Sequence, residues 1–191
     1  VLLLLLYKKI FAGLLGGAML FTPNWSYALP SGGQVVTNNG TIPAGGKVMD
    51  ITGSGNVAID WNSFNIAADE IVNFKNMQAV LNYVSGGSKS KIFGKLNGAG
   101  VNVFLVNPNG ILFGKTAQVN VGQLTASTRS LEKAALNSFN GSLSPLDAGG
   151  AANVKADIIN LGKLKAGKLV LEGNNLSIIG ADSLEVADKS K

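Results

Sequence analysis

The chain's acid–base chemistry rests on eleven Asp and Glu side chains, because the sequence contains no His and no Cys. Thiol catalysis, disulfides, Cys/His zinc sites and every nucleophile that relies on a His base are therefore excluded. A glycosidase needs two carboxylates facing one sugar ring. Asp69 and Glu70 form the one close acidic pair, and the other acids fall among turn-forming residues. They read as solvated turn residues, with no catalytic, cofactor-binding or metal-binding set among them. A polysaccharide-active enzyme and a purely structural scaffold stand as the alternative readings.

Two further patterns invite chemistry and fail on inspection. The stretch Asn109-Gly110-Ile111-Leu112-Phe113-Gly114-Lys115-Thr116 ends like a nucleotide-binding loop. That loop needs Gly where Asn109 stands, small residues around the phosphate, and a helix afterwards. Here bulky Ile-Leu-Phe fills the loop, and the alternating Ala117-Gln118-Val119-Asn120-Val121 that follows reads as a strand, so nucleotide binding is rejected. The net charge of +5 comes from scattered Lys with a single Arg, Arg129. Nucleic-acid binding calls for clustered bases interleaved with aromatics, so these charges read as a solvated surface.

The amino terminus predicts export. Lys8 and Lys9 precede a mostly apolar run over residues 10–21, and Ser26-Tyr27-Ala28 supplies a small-x-small cleavage site. The run is shorter than the ~20 apolar residues that span a bilayer. Residues 1–28 are read as a signal peptide cleaved between Ala28 and Leu29, and residues 29–191 as the mature domain.

Within that domain, Gly is abundant at 25 residues, and short Val, Ile and Leu runs alternate with Gly and Asn turns, a pattern of many short strands. Strands are expected over 35–37, 48–51, 57–61, 71–74 and 79–84, with a short helix over 77–83 as the alternative to the last, and over 101–106, 111–113 and 117–121. The run over 101–106 is apolar at nearly every position, as in a strand covered on both faces. Asn39-Gly40 and Asn97-Gly98 read as hairpin turns. Asn107-Pro108-Asn109-Gly110 reads as a tight turn, since Pro108 fixes φ and Asn109-Gly110 accommodates positive φ. One helix is expected over 130–137, capped by Ser130. Ile159-Asn160-Leu161-Gly162 and Ser177-Ile178-Ile179-Gly180 are alike at an offset of 18 residues, which suggests stacked β-coils. Val103, Leu105, Val119, Val121, Leu169 and Leu171 are expected inside the stack.

The segments Leu-Pro-Ser-Gly-Gly-Gln-Val-Val (29–36), Ile-Asp-Trp-Asn-Ser-Phe-Asn-Ile (59–66) and Val-Leu-Asn-Tyr-Val-Ser-Gly (80–86) carry a resemblance. So do Val-Phe-Leu-Val-Asn-Pro-Asn-Gly-Ile-Leu-Phe-Gly (103–114) and Val-Asn-Val-Gly-Gln-Leu-Thr-Ala-Ser-Thr (119–128). In order and spacing the chain resembles the filamentous haemagglutinin N-terminal domain, the two-partner-secretion (TPS) domain of exoproteins from Gram-negative bacteria. The resemblance implies an all-β, right-handed parallel β-helix with N-terminal capping strands and extra-helical β-hairpins. It implies recognition in the periplasm by the POTRA domains of an outer-membrane transporter, and a secreted or cell-surface product. A host-cell or surface ligand would then be met through downstream regions. The family's Asn-Pro-Asn-Gly-Ile motif falls on Asn107, Pro108, Asn109, Gly110 and Ile111, as a transporter-recognition or fold motif. Its earlier Asn-Pro-Asn-Leu motif has no literal match in the mature chain.

Overall fold

The computed structural model describes residues 28–143, 154–180 and 182–186. The proposed signal peptide, apart from Ala28, lies outside the described residues. The chain winds into a parallel β-solenoid of about six turns, whose coils have three sides. The first side stacks β3 (Val48–Gly53), β5 (Ile71–Lys75), the start of β8 (Lys95–Val106), the start of β10 (Gln118–Ser127), β12 (Lys163–Ala166) and β15 (Leu184–Val186), every neighbour parallel. The second side stacks β4 (Asn56–Trp61), β6 (Ala79–Val84), the far halves of β8 and β10, and β13 (Leu169–Glu172). The third side is a separate sheet of β7 (Ser90–Ile92), β9 (Ile111–Phe113), β11 (Ile158–Asn160) and β14 (Leu176–Ile178), with Ile66 bridged to Ile92 below it.

Antiparallel pairing occurs, among the described residues, only at the amino-terminal end. There β1 (Gln34–Val35) lies against β4 and β2 (Gly40–Thr41) against β3, covering the edge of the first coil. Asn39-Gly40 is therefore not the turn of a hairpin joining β1 to β2. Asn39 instead donates from Nδ2 to the carbonyls of Ser54 (2.6 Å) and Asn56 (2.9 Å), fastening the cap to the coil beneath.

Period-two alternation puts one apolar set inside each side. Met49, Val72, Leu96, Val119 and Leu164 form one inner column, and Val57, Val80, Val103 and Leu124 another. Each such side chain, fully buried, contributes about 1.5–3 kcal/mol. Val103, Leu105, Val119 and Val121 are buried in this core as expected, while Leu169 and Leu171 are half-buried at its margin.

The second side is covered outside as well. Leu131, Leu136 and Phe139 pack on Ala58, Leu81, Phe104 and Val106, with the Phe104 and Phe139 rings edge to face at 5.4 Å. This double covering explains why residues 79–84 and 101–106 lack clean alternation, and why the former is a strand rather than a helix. The covering segment contains the short helix α1 (Lys133–Asn137), whose first flanking residue, Glu132, makes no side-chain cap. The expected Ser130 cap fails because the helix begins later, at Lys133, after an extended Glu132 (φ −72°, ψ 149°). Asn97-Gly98 also departs from expectation, lying within β8. Its amide joins an outward ladder in which Asn97 Nδ2 donates to Asn73 Oδ1 (2.9 Å) and Asn73 Nδ2 donates to Asp50 Oδ1 (2.7 Å). The bend that Gly98 seemed to announce is a bulge two residues on, where Gly100 has φ +73° and the register with β10 shifts.

Candidate functional site

The turn Asn107-Pro108-Asn109-Gly110 is the corner where the third coil passes from its second to its third side. A buried β8 enters and a buried β9, starting at Ile111, leaves, so the corner's polar groups have little access to water and must be satisfied within the fold. The Gly110 N–H closes the turn on the Asn107 carbonyl (3.0 Å). Gly110 has φ +108°, and a Cβ there would lie 3.1 Å from the Asp157 carbonyl oxygen, so glycine is required on both counts.

Asn107 is fully buried, and its side chain uses both ends. Nδ2 donates to the Ser88 carbonyl and to Ser90 Oγ, each at 2.9 Å. Oδ1 accepts the Asn109 N–H at 2.9 Å, an Asx turn that fixes the corner from inside. Asn109 is exposed, yet its Nδ2 donates to the Gly86 carbonyl at 2.7 Å. The backbone ties the corner in both directions, since Ser90 N–H donates to the Gly110 carbonyl (3.0 Å) and Ile111 N–H to the Asp157 carbonyl (3.2 Å). Three successive coils thus meet at this corner. Pro108 and Asn109 form its outer surface, whereas Asn107, Gly110 and Ile111 form its buried root.

The next coil carries a parallel device with different chemistry. Asp157 Oδ1 accepts from the Asn175 N–H (3.1 Å) and Asn175 Nδ2 (2.9 Å). These bonds, Asn175's side chain first, hold the Asp157 carboxyl below its ordinary value, with Lys89 adding a smaller pull. Beside the corner, Glu172 pairs with Arg129 and accepts from Ser127 Oγ at 2.8 Å.

The remaining sequence-predicted site residues, Ala28 and Leu29, lie apart from this corner. Ala28 N–H donates to Glu70 Oε1 at 2.8 Å, and Leu29 is buried in the core. Glu70 itself corrects the reading of Asp69-Glu70 as a solvated pair. Asp69 is exposed and bonds Lys47 at 2.6 Å, but Glu70 is only 2% exposed. Ser90, the polar partner of Asn107, was also missed. It stands at an inward position of β7, but it lies between Lys89 and Lys91 in sequence, so only its alternation with the buried Ile92 marks it.

A groove of about 390 Å³ opens between the outer second side and the covering segment, lined in part by Phe104, Val106, Leu131, Val170 and Lys168. Among the described residues, the one carboxylate lining it is Glu172, already paired with Arg129.

Comparison with known proteins agrees with this architecture. The family model of the TPS secretion domain matches residues 26–190. A heme/hemopexin-binding protein of Haemophilus influenzae (strain ATCC 51907 / DSM 11121 / KW20 / Rd) is 33% identical over 169 residues, covering 85% of this chain and 18% of that protein. A second Haemophilus influenzae heme/hemopexin-binding protein is 44% identical over 89 residues, covering 45% of this chain and 10% of its own length. The crystal structure of the HMW1 secretion domain from Haemophilus influenzae superposes with a TM-score of 0.63 at 30% identity, covering 76% of this chain and 39% of that one. The chain thus spans less than a fifth of the curated relatives it matches. A domain of this kind directs an exoprotein to the cell surface or beyond, through recognition by a partner transporter in the outer membrane. On the match over residues 26–190 and the shared solenoid, the chain belongs to the TPS secretion domain family.

Proposed function

We propose that residues 1–28 carry the chain into the periplasm, that POTRA domains of the partner transporter engage it there, and that the solenoid assembles coil by coil outside the cell. The carrying observation is that every parallel strand pairs with a strand of the preceding or following coil. A coil cannot bury its inward side chains alone, so the stack grows by addition to a finished edge. The antiparallel cap of β1 and β2 closes one end and leaves growth a single direction. A chain without Cys carries no disulfide to lock a loop before transit.

In this reading the corner serves secretion through the fold. Asn107 bonds residues 88 and 90 and so fastens the third coil to the second, while Pro108 and Asn109 present the corner to the transporter. The domain's work is recognition and folding rather than catalysis, a reading supported by the groove, where the one carboxylate among the described residues is held in an ion pair. The heme and hemopexin binding named for the relatives belongs to those proteins, and we assign any surface ligand to regions outside this domain.

The test is coexpression with and without a partner outer-membrane transporter of the two-partner-secretion type. The processed chain is expected in the medium only when the transporter is present. Equal release without it, or uncleaved chain in the cytoplasm, contradicts the proposal.

A further inference from the structure

Glu70 is a buried carboxylate with no ion-pair partner among the described residues. It is 2% exposed, and each of its oxygens accepts one backbone N–H: Oε1 from Ala28 at 2.8 Å and Oε2 from Ala67 at 2.7 Å. Its own backbone is fixed, because its N–H donates to the Ala67 carbonyl and its carbonyl accepts from Lys95 N–H, both at 3.0 Å. Gly94 presses against it so closely that a Cβ there would lie 2.3 Å from the Glu70 carbonyl oxygen. A carboxylate this deep is costly unless it is paired and hydrogen-bonded.

One of its two donors belongs to the residue that processing removes. Cleavage after Ala28 takes the Ala28 N–H away with the leader and would leave Oε1 without a donor, in a place water does not reach. The same cleavage makes a cation next door. Hydrolysis consumes one water: its hydroxyl goes to the Ala28 carbonyl carbon, its hydrogen to the Leu29 nitrogen. The departing carboxyl gives up a proton, and the new amine takes one up at neutral pH. The Leu29 Cα lies one residue, about 3.8 Å, from that of Ala28. The Leu29 side chain is held in the core, and the Ser31 N–H is bonded to the Ser63 carbonyl at 2.9 Å. The new terminus therefore stays beside Glu70.

We propose that Glu70 is the socket for the mature amino terminus, its carboxylate pairing with the Leu29 α-ammonium that cleavage creates. The socket rests on cleavage between Ala28 and Leu29, and it gives processing a structural role. With the leader attached Glu70 can be met there only by a neutral amide, whereas the mature chain, the form that folds outside the cell, meets it with a charge-assisted bond of greater strength. The first coil is then completed only after the leader has gone.

The test compares the secreted chain with one carrying Gly-Ser-Gly inserted after Ala28, each with Glu70 or with Glu70→Gln. Mass spectrometry first reads the amino terminus. A first residue other than Leu29 in the unaltered chain overturns the cleavage and the socket with it. With Leu29 first, the insertion is expected to lower the urea midpoint by about 1 M in the Glu70 chain and to leave the Glu70→Gln chain unchanged. An equal effect in both backgrounds, or none in either, overturns the socket while the cleavage stands. If Glu70→Gln does not fold, acylation of the α-amine decides. The paired Leu29 amine is expected to react about tenfold more slowly than the amine of the extended chain, the factor of one pKa unit. Equal rates overturn the pair.

Discussion

Ile111 and Leu176 occupy the same column of the third side, joined through Ile158, yet Ile111 is wholly buried and Leu176 is 48% exposed. The strands are parallel, in register and of like composition. What differs is that coils stack on both sides of β9, whereas β14, among the described residues, pairs only with β11. In a solenoid an inward side chain becomes core through its neighbours rather than through its own coil. The corners follow the same division. The turn at Asn107 is closed by a buried amide between two covered strands, and the later one, at the exposed Asn175, by the half-buried Asp157. The middle coils are thus expected to hold most of the domain's stability, and the last coils to depend on what is laid against them.

The sharpest break in this comparison is a pair of truncations. Leu105→Ala, in a column covered above and below, is expected to cost about 2–5 kcal/mol. Leu176→Ala is expected to stay within about 0.5 kcal/mol. Urea unfolding of both variants checks the difference, and equal losses would mean that the last coils are as firmly built as the middle ones.

The corners give the next largest contrast. Asn107→Ala leaves the Asn109 N–H and Ser90 Oγ without their buried partner and is expected to cost about 1–3 kcal/mol. Asn175→Ala removes an exposed bond to Asp157, and its urea midpoint is expected to shift far less.

The smallest effect is one of pH. Asn109 N–H and Asn175 N–H sit in like turns, but the first donates to an amide oxygen and the second to a carboxylate. The folded state lowers the Asp157 value, so its contribution is present above the ordinary value near 3.8 and is lost as pH falls through the lowered one. Amide exchange at Asn175, corrected for intrinsic rate, is expected to lose protection below that pH while Asn109 keeps its own. Parallel loss at both would mean that the coils open together.

The sequence makes the solenoid's period readable because the repeat is literal. The 18-residue offset between Ile159 and Ser177 is their register in the β11–β14 pair. The inward positions of Val103 and Leu105 are legible for the same reason, since strand alternation needs only local residues. Misreadings arise where a distant partner decides. Asn97-Gly98 has the composition of a turn, but the Asn73 amide one coil away holds it in a ladder. Asn39-Gly40 points to a local hairpin, whereas β1 reaches past β2 and β3 to pair with β4. Glu70 looks like its solvated neighbour Asp69, because the groups it meets, Gly94 and the Ala28 N–H from 42 residues earlier, are not local. The candidate turn was legible as a turn from Pro108 and Gly110. Its anchoring to residues 86, 88 and 90 was not, as those contacts cross between coils.

The most direct test of the account is a joint measurement on Asn107→Ala: the urea midpoint of the domain, and the amount of chain released through the partner transporter. If Asn107 serves secretion by holding the coils together, the midpoint falls and secretion falls with it. Lost secretion with an unchanged midpoint would contradict this and make the corner a recognition signal in its own right.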